Sequence, residues 1–252
     1  MSGRSLVVAL VWLLLGGVLL MALTLPATAQ TLSLDLGDDS ASSTARLIQI
    51  ILLTTVLTLA PSILVMVTSF TRIVIVLSFL RTALGTQQTP PTQVLVSLAL
   101  FLTAFIMMPT FETIYDNGLK PLIAGQIDEF EAFDRSTDPL RTFMMSQVRD
   151  QDLALFVDIG KVPGAEAATK MPLRALIPAF MISELRRSFE MGFLLFLPFL
   201  IIDMVVSSVL MSMGMMMLPP VIIALPFKII FFVLVDGWYL TVGTLVRSFG
   251  GG

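Results

Sequence analysis

The chain has 252 residues, of which 56% are hydrophobic and only 13% are charged, and its formal net charge at pH 7 is −3. An ordinary soluble domain has about 25% charged residues. This composition excludes a nucleic-acid-binding protein, a disordered chain and most soluble enzymes, and it indicates a membrane protein. Because the charged residues concentrate between positions 111 and 190, we expect one polar insert among apolar segments.

The residue types that are missing narrow the chemistry further. The sequence contains no cysteine and no histidine, which excludes disulfides, thiolate nucleophiles, Cys/His metal sites and a Ser-His-Asp relay. The glycine motifs that cradle phosphate groups are also absent. We therefore predict no catalytic residues, no metal and no cofactor, and we expect any energy source to lie in a partner.

Residues 1–29 are predicted to be a signal peptide. The single charge of Arg4 precedes an almost wholly apolar run, and Ala27 and Ala29 supply the small residues that signal peptidase recognises. Cleavage between Ala29 and Gln30 would leave a polar N-terminal segment, residues 30–46, outside the cytoplasm. The alternative is an uncleaved first membrane helix, because the apolar run approaches the ~20 residues needed to span a bilayer.

A first hydrophobic helical hairpin is predicted over residues 47–110. Its opening apolar run, 47–80, would make about 50 Å of helix, against a hydrocarbon core of about 30 Å. Because Pro61 lacks a backbone donor and Arg72 resists burial, either a long kinked helix or a span ending near Val67 fits the pattern. A turn with one glycine and two prolines follows at 84–91, and a shorter apolar helix is predicted at 93–109.

Residues 111–177 are predicted to form a small helical insert that packs on its neighbours and faces solvent. Asp138 followed by Pro139 predicts a helix start, since the aspartate can cap and proline suits the first helical position. Residues 160–172 are predicted to be a loop. Apolar side chains recur at helical spacing before and after that start, at Leu122, Ile123, Ile127, Phe130 and Phe133, and at Leu140, Phe143, Met144, Gln147 and Val148.

A second hydrophobic hairpin is predicted over residues 178–252, with a break at 212–220. Asp203 and Lys228 would then lie about 18–20 Å from the turn, at matching depth on the two helices. Each charge at mid-membrane costs about 2.5–3.5 kcal/mol, and pairing within one hairpin or between neighbouring copies would remove most of this penalty. The alternative is that both residues line a proton path.

Glu184 is, after Asp203 and Lys228, a third charged residue in a predicted apolar helix. It has a basic residue at i+3, Arg187, and a similar pair follows at Arg186 and Glu190. Local helix pairs are therefore one interpretation of Glu184. A contact between subunits is the other.

Three consecutive methionines, Met215, Met216 and Met217, lie in the turn of the second hairpin. Consecutive residues point around a helix rather than to one face, so a packing stripe does not explain the triplet. Methionine is unbranched and adaptable, which suits a seal that closes on itself and moulds around a passing chain. Several copies around an axis would form a dewetted constriction, and ordinary core packing stays open as the alternative.

Basic residues near short loops predict the orientation. The 68–92 connection has Arg72 and Arg81 and no acidic residue, so we expect it to face the cytoplasm. The insert at 111–177 would then lie on the opposite side, in the periplasm.

Several stretches closely resemble the FliP/SctR family of type III secretion export-gate proteins. The two signature-like regions are 178–193 and 198–206, and the similarity continues through the methionine turn and the segment 225–228. It also includes 68–72 and 80–85. The similarity covers the chain beyond its first 29 residues and is weakest in the insert.

This resemblance implies an all-α, membrane-associated fold of long kinked hairpins that assembles as a homo-pentamer within a helical channel complex. It implies FliQ and FliR as complex partners, FliO as an assembly factor, FlhB, FlhA and the basal-body ring as neighbours, and flagellar export substrates as cargo, at the bacterial inner membrane. The family's methionine gasket falls on Met215–Met217, and its buried charges between subunits fall on Glu184, Asp203 and Lys228. Family members also stand largely above the membrane plane, with apolar helices packed on other subunits.

Two other functions compete with an export gate. An ion channel or proton-coupled carrier would explain Asp203 and Lys228 and predicts conductance from this protein alone. An intramembrane aspartyl protease needs two aspartates at one site, but Asp203 and Asp236 differ in predicted depth by about 10 Å. We therefore discard the protease and predict a protein without enzyme activity.

Overall fold

The computed structural model of the chain describes residues 40–86, 89–164, 170–215 and 219–250. Within these ranges the secondary structure is helical and no β-strand occurs, so the all-α prediction is confirmed there. The helices are α1 (Ser40–Val67), α2 (Phe70–Leu84), α3 (Thr92–Ile114), a π-helical turn (Tyr115–Leu119), α4 (Lys120–Ile123), α5 (Glu129–Gln147), α6 (Asp150–Ile159), α7 (Leu173–Ser212), α8 (Pro220–Leu234) and α9 (Gly237–Arg247).

The long apolar run at 47–80 is divided between α1 and α2. α1 ends at Val67, in agreement with the second of the two predicted alternatives, and Pro61 lies inside it. The hydroxyl of Thr71 donates a hydrogen bond of 3.0 Å to the carbonyl of Val65, which lacks a helical partner at the end of α1. α2 ends at Gly85, whose left-handed backbone (φ +75°) closes the helix through a bond to the Thr82 carbonyl.

α3 is longer than the sequence predicted. It continues past Pro109 to Ile114 and then through the π-helical turn into α4. Pro109 removes the donor that would bind the Phe105 carbonyl, so α3 lacks one helical hydrogen bond there without ending. The helix therefore passes through a residue at which we expected it to end.

The predicted helix start at Asp138 is wrong. α5 begins ten residues earlier, where the Asp128 side chain accepts a 2.7 Å hydrogen bond from the Glu131 backbone nitrogen. Glu129 and Glu131 in the first turn favour this start, because acidic residues stabilise the positive end of the helix dipole. The Asp138 carboxylate instead pairs with Lys170 at 2.6 Å.

The two predicted apolar stripes of the insert have different outcomes. Only part of the first packs within the described chain: Leu122 and Ile127 are partly buried, whereas Ile123, Phe130 and Phe133 are 76%, 86% and 65% exposed. A non-helical break separates α4 from α5, so these residues do not share one helix face. The second stripe is confirmed. Met144 is fully buried in a cluster with the residues that share its face and with α7, namely Leu140, Phe143, Val148, Leu176 and Phe180.

α2 is the most buried helix of the described region. One of its faces packs on α3 and on the end of α9, and its C-terminal half packs on α7 and α8. The residues of these two clusters are Ile73, Val76, Leu77, Leu95, Ala99, Leu102, Leu245 and Phe249 in the first, and Leu80, Ala83, Leu84, Phe199 and Phe232 in the second. The short second helix of the apolar run is therefore a core element.

Two described helices are long and apolar enough to cross a membrane, namely Thr92–Ile123 and Leu173–Ser212. A third candidate span is the pair α8 and α9, which are bent by 62° at Val235 and Asp236. Only 28% and 11% of the most apolar windows of the first two helices are buried within the chain. Their outward surfaces are therefore available to lipid or to other proteins.

α2 and α7 approach each other closely at Gly192. A Cβ atom at this position would lie 2.5 Å from Cδ2 and 3.1 Å from Cβ of Phe79, closer than van der Waals contact. The ring of Phe79 also meets Phe189 edge to face, with centroids 5.2 Å apart. Any larger residue at this position would displace the Phe79 side chain.

Replacing Gly192 with alanine should destabilise the protein by about 1–3 kcal/mol, because the added methyl group overpacks against Phe79. In detergent we expect a melting temperature several degrees below that of the wild type. Gly243→Ala in α9 is the matched control, since no atom lies within 4 Å of its Cβ position. Equal melting temperatures for the two variants would contradict the close approach.

Candidate functional site: buried charges and the methionine turn

α7 and α8 contact each other on either side of the break that follows Ser212. Lys228 on α8 donates a 2.6 Å bond to Oδ2 of Asp203 on α7. The Lys228 side chain is 4% exposed and that of Asp203 is 30% exposed. The structure therefore brings these two residues together within one hairpin, at the matching depth that their spacing predicts.

Lys228 also joins the hairpin to α2. Its ammonium group lies 3.2 Å from the carbonyl of Ala83, near the C-terminal end of that helix. A helix C-terminus attracts a cation because its last carbonyl groups lack helical partners. Lys228 thus has two acceptors, whereas Oδ1 of Asp203 is buried and has no hydrogen-bond partner among the described residues.

Glu184 lies in a second, more deeply buried charge site. Its carboxylate accepts two bonds from the Arg72 guanidinium, one from Nη2 and one of 2.8 Å from Nε. Both side chains have no exposed surface. This bidentate arrangement satisfies the planar charge of arginine and holds α2 against α7.

Arg72 is fully buried, although we expected an arginine in an apolar run to resist burial. The arginine enters the core because Glu184 neutralises it and further acceptors surround it, at Gln147 Oε1 (3.1 Å) and at the Ser248 hydroxyl (2.9 Å) and carbonyl (3.1 Å). The prediction of a cytoplasmic 68–92 connection consequently rests on Arg81. Two isolated opposite charges in separate apolar runs were the available sequence signal for this contact.

Of the two local pairs that sequence spacing suggested, the structure forms one. Arg186 donates a 2.8 Å bond to Glu190, and both side chains are more than half exposed. Arg187 does not bind Glu184 but donates to Gln147 at 2.9 Å. Glu184 is therefore an inter-helix contact between α7 and α2.

A further polar cluster, which the sequence analysis missed, fixes the start of α6 on α7. Arg149 binds the Asp152 carboxylate through Nε (2.9 Å) and Nη2 (2.8 Å), and the Ser183 hydroxyl donates to the same carboxylate at 2.6 Å. The Arg149 guanidinium holds the pKa of Asp152 below its ordinary value, with a smaller contribution from Ser183. The insert is thus tied to the second hairpin by an ionised carboxylate.

The methionine turn is only partly within the described region. α7 ends at Ser212, Gly214 has a left-handed backbone (φ +71°) and Met215 is 44% exposed. Met216 and Met217 lie outside the described residues, as do Ala27, Ala29 and Gln30 of the predicted signal-peptide cleavage site. Three more methionines near this end of α7 are exposed by 59–66%, namely Met204, Met211 and Met213.

The described residues contain no group of three or more acidic side chains placed to hold a metal ion. The buried charged groups are instead engaged with one another across helices. Their arrangement can hold helices in register and can balance charge in an apolar environment.

Comparison with known proteins gives a consistent family. The FliP family model matches residues 53–245, which include Glu184, Asp203, Lys228 and the three methionines. The chain is 60% identical to the flagellar biosynthetic protein FliP of Caulobacter vibrioides, over 89% of this chain and 85% of that protein. It is 56% identical to the Bacillus subtilis protein of the same name, over 84% and 94%, and 50% identical to that of Aquifex aeolicus, over 80% and 85%.

Removing one member of the buried pair should be worse than removing both. Arg72→Met leaves Glu184 charged and without its main partner in the core, a change that costs about 3–5 kcal/mol. The double variant Arg72→Met/Glu184→Leu should recover most of the lost thermal stability in detergent, because it leaves neither charge buried alone.

The exposed pair on the same helix is the matched control. Arg186→Met and Glu190→Leu, singly or together, should leave the melting temperature close to that of the wild type, because solvent screens that pair. A double variant at Arg72 and Glu184 whose loss equals the sum of the single losses would contradict the proposed compensation.

Proposed function

The chain belongs to the FliP family, and from this premise we propose that it is a channel and gate subunit of the flagellar type III protein export apparatus. In this role it would conduct unfolded flagellar proteins across the bacterial inner membrane. Its relatives are named as flagellar biosynthetic proteins, and the described helices include two or three that can cross a membrane. The finer role as a conduit is the proposal.

The observation that carries the proposal is that the second hairpin buries charged side chains and exposes large apolar ones. Charged residues of its helices, Glu184 and Lys228, face inward and are paired, whereas large apolar side chains face outward. Ile201, Met204 and Val233, for example, are 59%, 66% and 70% exposed. Contiguous exposed apolar surface of this kind marks contact with lipid or with other proteins. We propose that much of it meets sister subunits and partner proteins.

In this proposal about five copies of the chain assemble with FliQ and FliR, aided by FliO, beside FlhB and FlhA inside the basal-body ring. The free oxygen of Asp203 supports a contact beyond the single chain, because a buried carboxylate oxygen without a donor is costly. The insert at 111–177 would lie on the periplasmic side. Its exposed aromatic residues, such as Phe130, are further surface for assembly.

We propose that Met215, Met216 and Met217 form the gate. Met215 lies three residues beyond the end of α7, just after the left-handed turn at Gly214, and in this proposal the triplet forms the tip of the hairpin. Several such tips around one axis would narrow the channel with flexible apolar side chains. A proton- or ion-conducting channel is the second candidate, favoured by the incompletely bonded Asp203 in an apolar helix.

The Asp203–Lys228 pair gives a test that separates the two functions. Lys228→Glu places two carboxylates together in the hairpin, so the complex should fail to assemble on native gels and the cells should lose motility in soft agar. Reversal at both positions, Asp203→Lys/Lys228→Glu, should partly restore both. Equal loss of motility in every combination, with the complex still assembled, would favour proton handling.

The gate is tested by replacing Met215, Met216 and Met217 together with alanine. Because alanine is too short to seal the constriction, we expect normal assembly but increased leakage of small ions through the closed channel, measured in vesicles or as growth sensitivity to salt. Met204→Ala/Met211→Ala is the control with the same chemistry on α7, outside the triplet. Unchanged closed-state permeability of the first variant would contradict the gate.

A further inference from the structure

The two residues that follow α9 enter the buried Arg72 site. Glu184 occupies Nε and Nη2 of the guanidinium, and Ser248 supplies both acceptors of Nη1 through its hydroxyl and carbonyl oxygens. The ring of Phe249 then covers the guanidinium face, with Cζ of Arg72 3.7 Å from the ring centroid. Such a distance is within the range of a cation–π contact. These two residues, which we call the tail, therefore supply the acceptors of the Arg72 guanidinium that Glu184 on α7 leaves unfilled.

The same two residues bind the last turn of α5. The Phe249 carbonyl accepts a 3.3 Å bond from Nε2 of Gln147, and its ring stacks on Phe143 with an interplanar angle of 20°. Oε1 of Gln147 meanwhile accepts from both Arg72 and Arg187. One amide side chain thus links the insert, the first hairpin, the second hairpin and the tail.

Burial shows that this is an interior contact. Phe249 is 8% exposed and Gln147 is 4% exposed, although the first follows the last helix and the second ends a helix of the polar insert. Without the tail, Nη1 of Arg72 would lack its acceptors, and one face of Phe143 and the Nε2 donor of Gln147 would lose their partners. An unsatisfied donor in such a site is unfavourable.

We propose that Ser248 and Phe249 form a latch that locks α5 to α2 and α7. Docking of the tail fills the remaining positions around Arg72 and fixes the end of α5 through Gln147 and Phe143. Because the tail follows all the other members of the site in the sequence, it is also the last of them to be synthesised. The end of α5 therefore gains its full set of contacts only after α9 has been placed.

The latch is tested in the full-length protein in detergent by limited trypsin digestion. Arginines of α5 and of the α5–α6 junction, such as Arg135 and Arg149, become cleavable when this region opens locally.

Two substitutions weaken the tail. Phe249→Leu keeps apolar volume but removes the cation–π and stacking contacts, and Ser248→Ala removes the hydroxyl acceptor. In the combined variant we expect cleavage in the insert at least about tenfold faster than in the wild type, with a lower melting temperature. Gly250→Ala is the control, since its Cβ position is open.

A double-mutant cycle separates a latch from general tail packing. In the Arg72→Met/Glu184→Leu background the tail has no buried charge to complete, so the same tail substitutions should accelerate cleavage far less. An equal acceleration in both backgrounds would overturn the proposal, as would unchanged cleavage in the wild-type background. If the combined variant does not fold, Ser248→Ala alone gives the same comparison.

Discussion

The ion pair between Arg72 and Glu184 is the contact on which the described fold depends. Two charges without exposed surface are stable in an apolar core only when their geometry and their remaining hydrogen bonds are nearly complete. That requirement fixes the positions of α2, α7, the end of α5 and the residues after α9 at the same time. A hydrophobic contact tolerates sliding and repacking, whereas a bidentate pair accepts one register.

The pair also explains how a chain with so few charged residues specifies its structure. Apolar helices of similar composition can pack in many registers, because apolar side chains of similar volume replace one another with little loss. The two inter-helix pairs, Arg72–Glu184 and Asp203–Lys228, mark the two ends of the α2–α7 contact and remove this ambiguity. Large parts of the outward faces are thereby left apolar for other surfaces.

Sequence reasoning reached the features that depend on local spacing. Lys228 and Asp203 were paired from their equal distances to the turn, and the glycine and prolines near 214–220 located that turn. The contact of Arg72 with Glu184 spans 112 positions, and no periodicity connects them. The helix does not start at Asp138, because an equally good cap lies at Asp128 and is followed by two acidic residues. Tertiary packing decides which of two such caps starts the helix.

The length of α7 has a mechanical consequence. Its first half is clamped, with Leu176, Phe180, Glu184 and Ser188 buried, whereas beyond Phe199 nearly every large side chain is exposed and only Leu210 is buried. The second half of the helix is therefore held mainly by α8 and by the Asp203–Lys228 pair. Pro198 removes one helical hydrogen bond between the two halves. A bend at Pro198 would therefore move the end of α7 and α8 together, as one unit.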